Sequence, residues 1–318
     1  MASANRENLM APEEKMAARV LARHSLTPPY DLMALACIYG DVEIIPFPIV
    51  ADGVTIGIGG AERPQILVNS LAPETRKNFT LAHELGHIII PWHTGTIVSH
   101  LDADADDYDY LQMESEANRF AAELLIPSLW LKENYDSYEE LSGYLKYLIK
   151  ASNASREAVL IKVFKTLQAP IICCQIDSDG SLIRFYRTTT APNTPSLDGR
   201  DLMNDIIFRT EHSFESFKLN GYSYVAWCFS NKDIEENDSR PWREILEQIL
   251  LESGTQHLKQ SINAILPARF QKCKKLSESE ICSAIMRTYD GREGIEEAVN
   301  HPLFEQYVIK RVKELLSK

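Results

Sequence analysis

The sequence predicts an α+β fold in two domains, and three observations predict it. Three short runs rich in Val and Ile sit among helical stretches in the first half. The texture changes at Ala169-Pro170, where strand-like runs return and a helical tail follows. One helix, 73–90, is apolar on nearly every side yet carries two histidines and a glutamate.

Taken in order, residues 11–24 read as an amphipathic helix, and a second helix follows Pro28-Pro29 to about Gly40. The strand-like runs are 42–50, 54–59 and 65–70, separated by Gly, Asp and Pro. The next helix starts near Pro73 and is stopped by Pro91. Residues 100–110, with five Asp, read as an exposed loop. Further helices are predicted at 111–126, about 137–150 and 155–167. Strands are predicted at 171–176, 182–189 and 223–229, and the last eighty residues read as helical. The expected domains are 1–169, which includes the helical pair 137–167, and 170–318, of mixed α+β type.

At 318 residues the chain exceeds the usual single domain of about 100–200. An apolar fraction of 45% and a charged fraction of 25% exclude a disordered chain, a collagen-like fibre and a disulfide miniprotein. Acidic side chains outnumber basic ones 45 to 33, for a formal net charge of −12. The net charge argues against non-specific nucleic-acid binding by the whole surface, because phosphate neutralisation needs Lys and Arg in excess, and leaves a local basic patch open. The N-terminal twenty residues lack a signal-peptide pattern, and no stretch of about 18 apolar residues suggests a membrane span. Six scattered cysteines without a CxxC pair read as reduced thiols, which points to the cytoplasm.

The chemistry is carried by His83-Glu84-Leu85-Gly86-His87, an HExxH pattern. Residues four apart on a helix lie about 40° apart around its axis, so both imidazoles reach one ion. Zinc accepts two imidazole nitrogens and, at a catalytic site, keeps one of four positions for water. Glu84 lies about 100° round from His83, beside the ion, where it can take a proton from the bound water.

Three candidates compete for the third ligand. His93 stands where HExxHxxGxxH proteases carry one, but the Gly that turns the chain back is replaced by Ile90, followed by Pro91. The Asp run 102–109 offers hard oxygen ligands, although such runs are usually solvated. Glu114 is the third. On a helical wheel Ala117, Asn118, Ala121, Leu124 and Leu125 fall within about 80° of it, while Glu116, Arg119 and Glu123 fall opposite. An ionised carboxylate in an apolar stripe needs a metal or a charged partner, which favours Glu114 over Glu116. Asn118, one turn on, is placed to orient a ligating histidine. His93, His100, Tyr108 and Tyr110 are the candidates for a further donor to the oxyanion of peptide hydrolysis.

The blocks FTLAHELGH (79–87) and ESEANRFAAELLIP (114–127) together resemble the ImmA/IrrE family of metallopeptidases. The resemblance covers about residues 10–168. It implies a zincin-like domain with a small β-sheet, Zn2+ held by His83, His87 and Glu114, and Glu84 as catalytic base. It further implies a cytoplasmic protease that cleaves a transcriptional repressor, of helix-turn-helix type in many members, to release stress, mobile-element or phage-defence genes. Some members carry a C-terminal sensor domain, in certain cases GAF-like, where an activating ligand, a nucleic acid or a partner protein would act.

A rival reading is a non-proteolytic DNA-binding regulator. Residues 141–167 form a helix–turn–helix pattern in which Asn153 or Ser155 can cap the second helix. Residues 137–168 carry five Lys and Arg against three Glu, a local charge of +2. The many apolar positions of 155–167 favour packing on the first domain instead.

Overall fold

The structure, a computed structural model, describes all residues except 1–9, 49, 100–107, 195, 198, 206, 209–210, 290–291 and 293. It divides into two compact units, Met1–Thr166 and Leu167–Lys318.

The first unit runs α1 (Pro12–Arg23), α2 (Leu32–Tyr39), β1 (Asp41–Ile45), β2 (Gly53–Ile58), β3 (Gln65–Asn69), α3 (Glu74–Ile89), β4 (Gly95–Ser99), α4 (Tyr108–Leu125), α5 (Ser128–Tyr135), α6 (Leu141–Ser152) and α7 (Arg156–Thr166). Its sheet has the order β1-β3-β2-β4, with β1 parallel to β3 and β2 antiparallel to both its neighbours. The helix ends follow local chemistry. Pro12 opens α1, where the Ala11 N–H donates to the Glu14 carboxylate at 2.8 Å. Asp31 caps α2 by accepting from the Ala34 N–H at 3.0 Å. Asn153 ends α6 in the left-handed region at φ 50°, and Ser155 caps α7 through the Ala158 N–H.

Helix α3 is the centre of this unit, with Thr80 to His87 all buried. It packs on α4 at Gly86, where a β-carbon would stand 3.0 Å from the Phe120 ring. Glycine there lets α4, with its polar side chains, come close.

The second unit begins with β5 (Ile171–Ile176), β6 (Leu182–Arg187), β7 (His212–Leu219) and β8 (Tyr222–Phe229), an antiparallel sheet in the order β6-β5-β8-β7. All six positions of β5 are buried, so both its faces are covered. Cys173 and Cys174 lie on those opposite faces at 0% exposure, and all six cysteines are free. Helices α8 (Trp242–Glu252), α9 (Lys259–Cys273), α10 (Glu278–Tyr289), α11 (Glu296–Val299) and α12 (Phe304–Leu316) follow. They share a core that includes Ile249, Leu266, Ile285 and Tyr307.

Three expectations need correction. Residues 100–107 of the acidic stretch lie outside the described residues, but Tyr108–Tyr110 open α4 instead of closing a loop. β4 and α5 had no sequence prediction, nor did β7, whose mostly exposed positions hide an edge strand from hydrophobic patterning. Glu116 and Glu123 do not face water. They are 6% and 2% exposed, because α4 is covered on the side opposite Glu114 as well. No described helix is long and apolar enough to cross a membrane.

Candidate metal centre

Helices α3 and α4 bring His83, His87 and Glu114 together. The two Nε2 atoms are 3.0 Å apart. Each lies 3.3 Å from a Glu114 oxygen, His83 Nε2 from Oε2 and His87 Nε2 from Oε1. Among the described residues this is the group of His, Cys, Asp and Glu able to hold a metal ion. Both rings are fully buried, while the Glu114 side chain is partly exposed, at 15%.

What lies behind the rings fixes which nitrogen bears the proton. His83 Nδ1 is 3.0 Å from Asn118 Oδ1, an atom that only accepts, so Nδ1 is the protonated nitrogen and Nε2 keeps its lone pair. His87 Nδ1 is 2.9 Å from His93 Nδ1. His93 Nε2 in turn lies 3.1 Å from Glu116 Oε2. The Glu116 carboxylate also accepts from Trp92 Nε1 at 2.5 Å and Gln112 Nε2 at 2.9 Å. Burial works against its ionisation, but these donors outweigh that and lower its pKa. An ionised Glu116 makes His93 Nε2 a donor, so His93 Nδ1 accepts and His87 Nδ1 donates to it. His87 Nε2 then also presents a lone pair. Three acceptor atoms therefore converge on one point, an arrangement that a cation completes.

His87 and Glu114 stand in the protonation states that a cation needs. Burial pushes His87 down to about 4, against the pull of Glu114, so its ring is neutral near pH 7. Burial also lowers His93. Glu114 is opposed by burial too, yet the His83 and His87 rings hold it at about 2, ionised. His83 is raised: burial acts downward, but Glu114, Glu84 and Asn118 together act upward more strongly.

Glu84 is fully buried on the same helix and accepts from the Thr55 hydroxyl of β2 at 2.5 Å. Its other oxygen lies so close to Gly53 that a β-carbon there would collide with it. Tyr110, in the first turn of α4, has its phenol pushed up to about 12, first by burial and then by the Glu114 and Glu84 charges. It is thus a protonated donor beside both carboxylates. Tyr108 opens α4, while His100 lies outside the described residues. His93 sits behind His87, not among the converging atoms.

Sequence reasoning did not find Thr55, Gly53, Trp92 or Glu116. Thr55 and Gly53 sit on a strand 29 or more residues before Glu84, with no local pattern that announces the contact. Glu116 was available on the wheel, but its position opposite Glu114 read as solvent. In the helix pair 141–167, Lys162 is 7% exposed and donates to Glu123 Oε2 at 2.6 Å, so α7 is tied to α4 through this buried pair.

Residues 45–163 match the IrrE N-terminal-like domain of the M78 peptidase family. The radiation response metalloprotease IrrE of Deinococcus radiodurans is 29% identical over 111 residues, which cover 35% of this chain and 34% of that protein. The chain therefore spans about a third of that relative's length. A Mycobacterium tuberculosis transcriptional regulator superposes with a TM-score of 0.41 at 13% identity, covering 71% of this chain and 90% of that one. The two histidines and the glutamate of the centre all lie within residues 45–163, the stretch that is similar to the IrrE N-terminal-like domain.

Proposed function

We propose that the chain is a cytoplasmic zinc endopeptidase that cleaves a helix-turn-helix transcriptional repressor and so derepresses stress, mobile-element or defence genes. One observation carries the zinc reading. Two bonds of about 2.05 Å opened to the tetrahedral angle separate their ends by about 3.3 Å. The two imidazole nitrogens are 3.0 Å apart and each lies 3.3 Å from one of the two Glu114 oxygens, spacings close to those of neighbouring ligands on one zinc ion.

His83, His87 and Glu114 would hold the ion. Bound zinc supplies a Lewis acid that makes water acidic near neutrality and polarises a carbonyl. The chain's own groups do the rest. Glu84 is the general base: Thr55 fixes one carboxylate oxygen, and Glu84 takes the proton of the attacking water and later passes it to the leaving amine. Tyr110 keeps its proton and donates a hydrogen bond to the carbonyl oxygen as negative charge builds there. Asn118 and His93 hold the two imidazoles in the tautomer that faces the ion. Residues 170–318 would regulate access, as a sensor domain that is GAF-like or of another mixed α+β kind.

The test joins elemental analysis to cleavage of the repressor encoded beside this gene. The purified protein is expected to hold about one zinc per chain. Glu84→Gln is expected to keep the metal and the fold and to lose about two to four decades of turnover. Near-normal cleavage by Glu84→Gln would reject this mechanism, and a metal-free active protein would reject zinc.

A further inference from the structure

Three arginines gather inside the second unit. Arg187 ends β6, Arg269 lies on α9 and Arg287 on α10. Arg269 is 9% exposed and Arg287 4%, while Arg187 is half-buried and open to solvent on one side.

Their hydrogen bonds go only to neutral oxygens. Arg287 donates to the Thr190 carbonyl at 3.2 Å, the Ser230 carbonyl at 2.9 Å and Asn231 Oδ1 at 2.9 Å. Arg187 Nη2 donates to the Ala191 carbonyl at 3.2 Å. Arg187 Nε and both Nε and Nη2 of Arg269 are buried with no acceptor. Among the described residues no carboxylate pairs with any of the three. The acidic group that acts on Arg269 is the Cys273 thiol, which brings no fixed charge near neutrality.

A guanidinium cannot shed its proton to escape burial, so it needs an anion or a full set of acceptors. This cluster has neither. Its members also repel one another: burial and then the Arg269 charge lower both Arg187 and Arg287, the latter to about 10. Folding these groups together without a carboxylate is the arrangement expected of a site whose anion arrives from outside.

We propose that Arg187, Arg269 and Arg287 form a binding site for a small phosphate-bearing anion, either orthophosphate or the phosphoryl group of a nucleotide. The chemistry selects phosphate over a carboxylate. Three buried N–H donors are left for the ligand, and a tetrahedral oxyanion carries the oxygens and up to two charges to meet them. A single carboxylate would leave two of three positive charges unmatched. Burial selects a small ligand, because a polymer backbone does not reach side chains that are nine-tenths covered. The site is independent of the metal centre, so it stands or falls separately from the peptidase reading.

The experiment is calorimetric titration of the full-length protein with orthophosphate, a nucleoside monophosphate and a nucleoside triphosphate, against chloride at matched ionic strength. Saturable binding of one anion per chain, at about 1 mM or tighter, is expected for at least one phosphate and not for chloride. Binding of orthophosphate alone identifies the free ion as the source, and preference for a nucleotide identifies the phosphoryl group. Arg269→Met is expected to weaken binding about tenfold or more and to raise the melting temperature of the ligand-free protein, because it removes an unmatched buried charge. Should that variant not fold, Arg187→Gln, at a half-exposed position, is expected to show the same loss of affinity. The proposal is overturned if no phosphate binds the wild type saturably up to about 10 mM, or if the folded variants bind as tightly as the wild type.

Discussion

Lys162 and Arg269 are both buried cations, 7% and 9% exposed, and the two units deal with them in opposite ways. Lys162 donates to Glu123 at 2.6 Å and lies 3.9 Å from Glu14. Glu13, on α1, is met by Arg119 of α4. These buried charges of the first unit are matched by charges from the same unit, whereas at the metal centre acceptors converge. In the arginine cluster of the second unit the unmatched atoms are donors. A buried charge that the fold leaves unmatched is the feature that the two proposed sites share, acceptors for a cation in the first unit and donors for an anion in the second.

The largest way to break that contrast is to make Lys162 resemble Arg269. Glu123 also accepts from the Ser128 N–H and hydroxyl, so it ties α4, α5 and α7 together. Glu123→Ala leaves a buried ammonium with only Glu14 at 3.9 Å, and about 3–5 kcal/mol of stability is expected to be lost. Denaturant unfolding measures it. A loss below about 1 kcal/mol would show that Lys162 escapes to water and that the internal pairing does not matter.

The second way acts on the relay behind His87. Glu116→Gln keeps the shape of the carboxylate but puts an NH2 donor in place of one oxygen, so it no longer forces His93 Nε2 to be the donor. His93 is then free to turn its proton toward His87 Nδ1, which moves the His87 proton to Nε2, the side that faces the ion. Metal affinity is expected to fall about ten- to hundredfold with little change in fold. Competition with a chelator measures the affinity, and nitrogen NMR of the imidazoles reads the tautomer directly. Unchanged affinity with an unchanged tautomer would remove Glu116 from the centre.

Much of this centre was legible in sequence because helices repeat. The four-residue spacing of His83 and His87 and the wheel position of Glu114 follow from one period, and so does Asn118. What was not legible is what two-sided burial does to a helix. The wheel set Glu116 and Glu123 opposite Glu114 correctly, but it could not show that this second side is also covered. Contacts from distant elements were equally silent. Thr55 and Gly53 reach Glu84 from β2, and Arg187, Arg269 and Arg287 come from a strand and two helices up to 100 residues apart. The α+β class needed only periodicity. The edge strand β7 was lost because few of its positions are buried.

The smallest expected effect tests whether the convergence of ligands depends on the distance between two helices. Gly86 lies between His83 and His87 in sequence and faces Phe120, six residues beyond Glu114 on α4. In Gly86→Ala two terms oppose each other. Alanine favours a helix interior over glycine by about 1 kcal/mol. The new β-carbon would stand 3.0 Å from the Phe120 ring, so α4 must give by a few tenths of an ångström, which costs a similar amount in a packed core. Net stability is therefore expected within about 1 kcal/mol of the wild type. Metal affinity is a different matter, because a shift of α4 moves Glu114 but not the histidines. A loss of less than about tenfold is expected, smaller than for Glu116→Gln, since the carboxylate can follow the ion by rotating its side chain. Unfolding and chelator competition on the same variant separate the two terms. If stability falls by more than about 3 kcal/mol while affinity is unchanged, Gly86 serves helix packing alone and the convergence of the ligands does not depend on how closely α4 approaches.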